Sequence, residues 1–329
     1  RIGGSTPSDL NLISGNTRNG VGIAGGASGN LVARNYIGLA ADGATAQGNG
    51  EDGVLIVDSP SNLVGGDVTG TYNIIAANGA HGVELRGDGA DANTIQRSII
   101  GSDLFGTLDR GNGRAGVYLT PTAGGSGASD NRIGSAAFGA GGNLISGNGW
   151  AGVHVEYAIG TQIRGNRIGT DFAGTAALPN AAGGIDIVAA WGTVIGSVDA
   201  GNLISGNASS GIDAQFEGLL TVVGNRIGST ADGMMALPNQ GRGIWVRDAQ
   251  SGALIGGADH SAWACDRACN LIVGHSGAGI DLHGLTLGAH QVLGNFIGTR
   301  IDGAAALANH TGIQTSVSAQ IGGAAAGEG

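Results

Sequence analysis

The feature that most limits what this chain can fold into is an internal repeat, and a missed period misassigns a whole fold. The segment Asn-Leu-Ile-Ser-Gly-Asn begins at Asn11, Asn143 and Asn202, with divergent copies at Asn73 and Asn270. That divides the chain into five modules of roughly 60 to 70 residues. Each module divides again. A glycine followed by alternating Val or Ile recurs at Gly20, Gly53, Gly82, Gly116, Gly152, Gly184, Gly211, Gly243, Gly279 and Gly312, at intervals of 27 to 36 residues. A tighter register, Asn-x-Ile, places Ile13, Ile37, Ile75, Ile100, Ile145, Ile168, Ile204, Ile227, Ile272 and Ile297 at one point of successive turns, and all ten are Ile.

Two residues before each of these Ile positions stands an Asn, from Asn11 to Asn295, interrupted only by Ser98. A third set runs Val32, Val64, Ile95, Ile133, Ile163, Ile195, Val222, Ile255, Val292 and Ile321. Three short β-branched strands per turn, with alternate side chains inward, predict a solenoid of about ten coils in one domain spanning 1–329. At about 4.8 Å per coil the rod would be on the order of 48 Å long. Glycine marks the corners, and the Asn column reads as a ladder that satisfies buried polar atoms. No apolar run keeps a 3.6-residue period. The expected class is all-β, a right-handed parallel β-helix, the hand following from the rule for parallel crossovers.

Composition enters as a check on that reading. The 68 glycines and five prolines among 329 residues would suggest low complexity, but there is no collagen period and the apolar residues, 41% of the chain, are regularly placed. Net charge is −10 and every basic residue is Arg, so nucleic acid is not expected as a partner. No apolar run reaches the roughly 18 residues of a spanning helix. No signal-peptide pattern opens the chain, so an export signal is expected to precede it. Arg1-Ile-Gly-Gly and Gln320-Ile-Gly-Gly fall at one point of the repeat, which points to a segment of a longer surface protein or to end-to-end stacking, the longer parent being simpler.

Gly-Val-x-Ile, Asn-Leu-Ile-Ser-Gly-Asn and Gly-Asn-Arg-Ile-Gly-Thr, the last at Gly165 to Thr170, carry a family likeness. From Arg1 to Gly323 the chain resembles the parallel β-helix repeat proteins of bacterial cell surfaces, within the broad pectate-lyase-like superfold. That resemblance implies the fold far more narrowly than the function, because the superfold hosts lyases, glycosidases, epimerases, adhesins and phage tailspikes. The Asn-Thr-Asp and Gly-His-Gly of polygalacturonases, the pectate-lyase Asp-His segment with its Arg-Pro motif, and the Asp-Pro-His of alginate epimerases are absent from the sequence.

In a solenoid the core repeats, so function is sought where an outward column breaks the pattern. The x of Gly-Val-x-Ile reads Gly22, Leu55, Glu84, Tyr118, His154, Asp186, Asp213, Trp245, Asp281 and Gln314, with Glu156, Gln215, Arg247 and His283 two residues further on. Asp186 and Asp213 should be neighbours about 5 Å apart, near the spacing of the carboxylates in a retaining glycosidase. Tyr118, His154, Glu156, Trp245, Arg247, Asp281 and His283 would surround them as ligand-binding groups. The bland alternative is a solvated sheet face.

A second outward column, from Leu12 and Tyr36 to Leu271 and Phe296, is too apolar to face water, and loops such as 170–180 and 229–239 should fold over it. Asp42, Asp171, Asp232 and Asp302 in such loops are conceivable calcium ligands, although turn chemistry is the plainer explanation, because calcium needs several oxygen ligands and each loop shows a single acid. Cys265 and Cys269, in the insertion that begins at Trp263, suit a local disulfide in an exported protein. Zinc bound with His260 and His275 is the rival, although His275 holds a turn position that Asn148 and Asn207 hold elsewhere. These observations point to an extracellular or cell-surface solenoid of adhesin type, presenting an aromatic and acidic face to polysaccharide without a cofactor. The alternative is a polysaccharide hydrolase or lyase using Asp186 and Asp213.

Overall fold

The computed structural model describes residues 1–66, 71–125, 127–135, 142–261 and 264–323. Its strands are two to six residues long and stack into three parallel sheets, one of eleven strands and two of ten. Each sheet takes every third strand of the chain. The first begins Ile2–Gly3 and Leu31–Ala33, the second Asn11–Ile13 and Asn35–Ile37, and the third Val21–Ile23 and Val54–Val57. This is the parallel β-helix that the repeat predicts. The first sheet gains one strand over the expected ten because Ile2 pairs with Val32 ahead of that ladder.

The side-chain columns are those of the sequence pattern. Ile37 pairs with Ile13 and Ile75, and the column continues in register to Ile272 and Ile297. Val64 pairs with Val32 and Ile95 in the first sheet, and Val54 with Val21 and Val83 in the third. These columns merge into one continuous apolar core, most of it fully buried. A β-branched column suits this geometry because stiff side chains with few allowed rotamers stack on one another at little entropic cost. Ile168, fully buried between Ile145 and Ile204, shows how little slack there is. Ile168→Val removes one methylene and is expected to lower stability by about 1 kcal/mol, read as a fall in the denaturation midpoint; no change would mean that the column is loosely packed.

Where the chain leaves the second sheet, alternate coils need a glycine, at Gly38, Gly101, Gly169, Gly228 and Gly298, while Ser14, Ala76, Ser146, Ser205 and Val273 stand there on the others. Gly38 has φ +94°, and a Cβ there would lie 2.0 Å from the Ala76 carbonyl oxygen of the next coil. Both the left-handed backbone and the approach of the coils exclude a side chain.

The asparagine ladder exists, and two further ladders accompany it. At the first corner Asn143 Nδ2 donates to Asn166 Oδ1, Asn166 to Asn202, and Asn202 to Asn225, at 2.9 to 3.0 Å. At a second corner Asn16, Asn49, Asn78, Asn112 and Asn148 are linked in the same way. At the third, Asn30, Asn62, Asn93 and Asn131 begin a column that changes upward into Thr161, Thr193 and Leu220, judged by the backbone bonds that join these residues' levels. Many of the ladder amides also bond a backbone carbonyl of the coil below, as Asn202 does to Ile163 at 2.8 Å. Most of the buried polar groups at these corners thereby find partners within the protein, Asn131 Nδ2 and the Thr161 and Thr193 hydroxyls being exceptions.

The apolar outer column is covered as expected. Ile74, Ile99, Leu144, Leu203 and Leu271 are buried, while Leu12 at the first coil is exposed. The loops over it form a chain of their own. Leu104 donates its N–H to Gly43, Phe172 to Gly106, Ala231 to Gly174 and Ile301 to Gly233. The loop aspartates are occupied by turn chemistry: Asp42 accepts the N–H groups of Ala44 and Thr45, and Asp171 those of Thr175 and Ala176. Asp232 accepts from Met234 and Asp302 from Ala304.

Cys265 and Cys269 are joined in a disulfide with a Cα separation of 5.2 Å and pack on Leu271 and Val273. The zinc alternative fails there because both thiols are used. His275 instead sits in the second-corner column, buried, its N–H bonded to Asn309 Oδ1. Trp263 lies outside the described residues.

Candidate functional site

The third sheet carries the irregular outer face, and parallel in-register pairing brings its side chains together. Strands about 4.8 Å apart place like positions at the separation of stacked rings. The register runs Glu84 to Tyr118, Tyr118 to His154, His154 to Asp186, Asp186 to Asp213, Asp213 to Trp245 and Trp245 to Asp281, the column expected from sequence. Arg247 pairs with His283 on the same face.

What the register does not reveal is how these groups are partnered. Asp186 and Asp213 are neighbours, but they do not form an isolated carboxylate pair. Asp186 Oδ2 lies 2.8 Å from His154 Nδ1, and Arg247 grips both oxygens of Asp213 at 3.0 and 3.1 Å. Burial raises the pKa of Asp213 and the Asp186 charge adds to this, while Arg247 opposes it. The direction is that of a general acid, but the bidentate arginine holds the ionised form in place. Trp245 is likewise engaged, with the guanidinium carbons of Arg242 and Arg247 at 4.1 and 4.4 Å from its ring centroid. Arg242 Nε also donates to the buried Asp281 at 2.6 Å. His283 is exposed beside Ser316. The upper half of the face is thus closed by arginine pairs.

The lower half is more open and contains residues that the sequence reading missed. His81 stacks on Tyr118 with ring centroids 4.6 Å apart, Tyr118 lies 5.1 Å from His154, and Trp150 stacks on His154 at 4.3 Å. An aromatic column therefore crosses three coils. The Tyr118 hydroxyl donates to Glu156 at 2.6 Å, and burial together with that bond pushes its pKa up to about 12. It is a neutral donor at any ordinary pH. Beside the column opens a cleft of about 430 Å³ whose lining includes Asp52, His81, Glu84, Arg86, Arg114 and Tyr118. Asp186, Asp213 and Trp245 are not part of it.

The cleft floor is acidic and nearly dry. Asp52, His81 and Glu84 are each 3 to 4% exposed. Arg86 donates from Nε and Nη2 to the two oxygens of Glu84, both at 2.7 Å. Asp52 accepts the His81 backbone N–H at 2.9 Å, yet burial and the neighbouring Glu84 push its pKa up to about 7. Burial pushes His81 down to about 4, so its imidazole is neutral at pH 7. Asp52, His81 and Trp150 occupy the corner just ahead of the Gly-Val-x-Ile strand. The signal was available in the sequence, since the residue before the marker glycine reads Asp52, His81, Ala115 and Ala151 on successive coils.

No protein-family model matches the chain, and no curated protein does. Solved structures of similar chain path include the surface protein and adhesin PfbA of Streptococcus pneumoniae, at 12% identity and a TM-score of 0.45, covering 94% of this chain and 83% of that one. A periplasmic alginate epimerase matches at 13% identity and 0.40, covering 83% and 73%. The A-module of a mannuronan C-5 epimerase of Azotobacter vinelandii matches at 11% and 0.38 over 88% of this chain, which spans 57% of that module's length.

Proposed function

We propose that the protein is an extracellular saccharide-binding solenoid whose site is the cleft and aromatic column over its second to fifth coils. The observation that carries this is the juxtaposition of half-exposed Tyr118 and Trp150 with hydrogen-bonding Glu156, Arg86 and Arg114 at an open cleft. Sugar rings offer an apolar face for stacking and hydroxyls for charged acceptors and donors, which is the mixture found here. The disulfide accords with an oxidising compartment. The face expected from sequence is kept, but its centre moves toward the N-terminal coils.

The competing reading is turnover, with Asp186 and Asp213 as the carboxylate pair. A glycan array combined with reducing-sugar and unsaturated-product assays separates the two. Binding without product, weakened about tenfold or more by Trp150→Ala and unchanged in Asp213→Asn, is the result expected of a binding face. Product formation abolished by Asp213→Asn would establish the enzyme instead. No binding in any assay would leave a scaffold.

A further inference from the structure

We propose that Asp52, His81 and Glu84 form a binding site for one divalent metal ion of the zinc class, reached from solvent through the cleft. One ligand atom from each residue lies within 4.8 Å of the other two, and all three side chains are buried. Zinc ligands at about 2.0 to 2.2 Å in a tetrahedral set stand about 3.4 Å apart, so the three side chains need to close by roughly an ångström or somewhat more. Independently of the acidic cluster, the His81 Nδ1 atom is buried and has no hydrogen-bond partner. A buried imidazole nitrogen without a partner is costly unless something binds it.

The surroundings are those of an oriented ligand set. Tyr118 stacks on the His81 ring, the His81 backbone N–H fixes Asp52, and Arg86 holds Glu84 by both oxygens. Glu84 needs to offer only one oxygen to the ion, and the guanidinium then serves as its outer partner, as is usual for ligating carboxylates. With both carboxylates ionised, as an ion would require, Arg86 leaves one negative charge for a cation to offset. The imidazole selects a borderline ion over calcium, which takes six to eight oxygens that this corner does not supply. Three protein ligands leave a fourth position facing the cleft, for water or a ligand oxygen. The site does not depend on the saccharide reading, and it can stand or fall alone.

Titration calorimetry of the whole chain with zinc chloride is expected to show one ion per chain at micromolar affinity or tighter, and calcium chloride no saturable heat. His81→Gln and Glu84→Gln should each weaken zinc binding by tenfold or more, and His260→Ala should leave it intact. Cobalt added to the wild-type protein should give a visible d–d band, and zinc should shift the His81 ring nitrogens in long-range NMR spectra, neither of which relies on a variant folding. Absence of one-to-one zinc binding, unmoved His81 ring signals, or equal affinity in a folded His81→Gln protein would overturn the proposal.

Discussion

Asn202→Ala is expected to destabilise the solenoid by about 4 kcal/mol, although it removes only a small side chain from one corner. The Asn202 amide donates to the Ile163 carbonyl at 2.8 Å and to Asn225 Oδ1 at 2.9 Å, and it accepts from both the backbone N–H and Nδ2 of Asn166 at 3.0 Å. Alanine leaves the Asn166 backbone N–H and one Nδ2 proton of Asn166 buried without an acceptor, while the Ile163 carbonyl keeps only the Gly196 N–H. Each such group costs about 1 to 3 kcal/mol, which outweighs the net worth of an ordinary hydrogen bond. Because a solenoid couples each coil mainly to its neighbours, the damage should be local. Hydrogen exchange should accelerate at Asn166 and Leu203 while amides several coils away stay protected. Uniform acceleration along the chain, or none, would contradict the ladder account.

Glu217→Gln should act in the opposite direction, increasingly as pH rises above about 4.5 and fully above about 7. Glu217 is 1% exposed, and burial pushes its pKa up to about 7 from an ordinary 4.5. Below pH 4.5 the carboxyl is protonated whether the chain is folded or not, so no penalty exists. As pH rises from 4.5 to 7 the unfolded chain releases the proton and the folded one retains it, and stability is lost through that window. Above pH 7 the loss levels off at about 3 kcal/mol. Glutamine does not titrate, and its amide oxygen can still accept from the Thr193 N–H as Glu217 does at 3.2 Å. Denaturation of the two proteins should coincide near pH 4 and separate by about 3 kcal/mol at pH 8.5. The buried histidines His81 and His275, whose pKa values fall to about 4, shape the acid limb of both proteins and cancel in the difference. Parallel stability curves would refute the assignment.

The reason for a buried glutamate lies in the third corner. Lower in that column each Asn N–H donates to the Asn Oδ1 of the next coil, as Asn62 does to Asn93. At Thr193 the next coil offers Leu220, which has no acceptor, and Glu217 reaches in to replace it. Higher still, His290 Nδ1 accepts from the Ala253 N–H in the same role. An interrupted ladder thus recruits titratable groups.

The core was legible because ten coils repeat one chemical requirement at one place, so Ile13 to Ile297 declare themselves without any fold knowledge. The second asparagine ladder was equally regular, with Asn16, Asn49, Asn78, Asn112, Asn148, Asn180, Asn207 and Asn239 each four residues ahead of the marker glycine. Its regularity is masked in the Asn-x-Ile frame, where its distance from the Ile alternates between three and twelve residues, although members such as Asn148, Asn207 and His275 align there. The site was less legible for a different reason. Register identifies neighbours across strands, which is why Asp186 and Asp213 were paired correctly, but it does not say which neighbour a long side chain chooses. Arg247 turning to Asp213, Arg242 to Asp281 and Arg86 to Glu84 are choices of rotamer made within a crowded face.

The chain of loops has a bearing on how such a molecule can change in length over generations. Loops occur on alternate coils, yet each bonds directly to the next loop, from Gly43 to Leu104 and on to Gly233 and Ile301. A single coil gained or lost would preserve the core and all three corner ladders but would bring two loops onto adjacent levels, or leave a gap in their sequence. A pair of coils restores every contact. The heritable unit of growth is therefore the two-coil module, and the outer covering, more than the core, keeps count of the pairs.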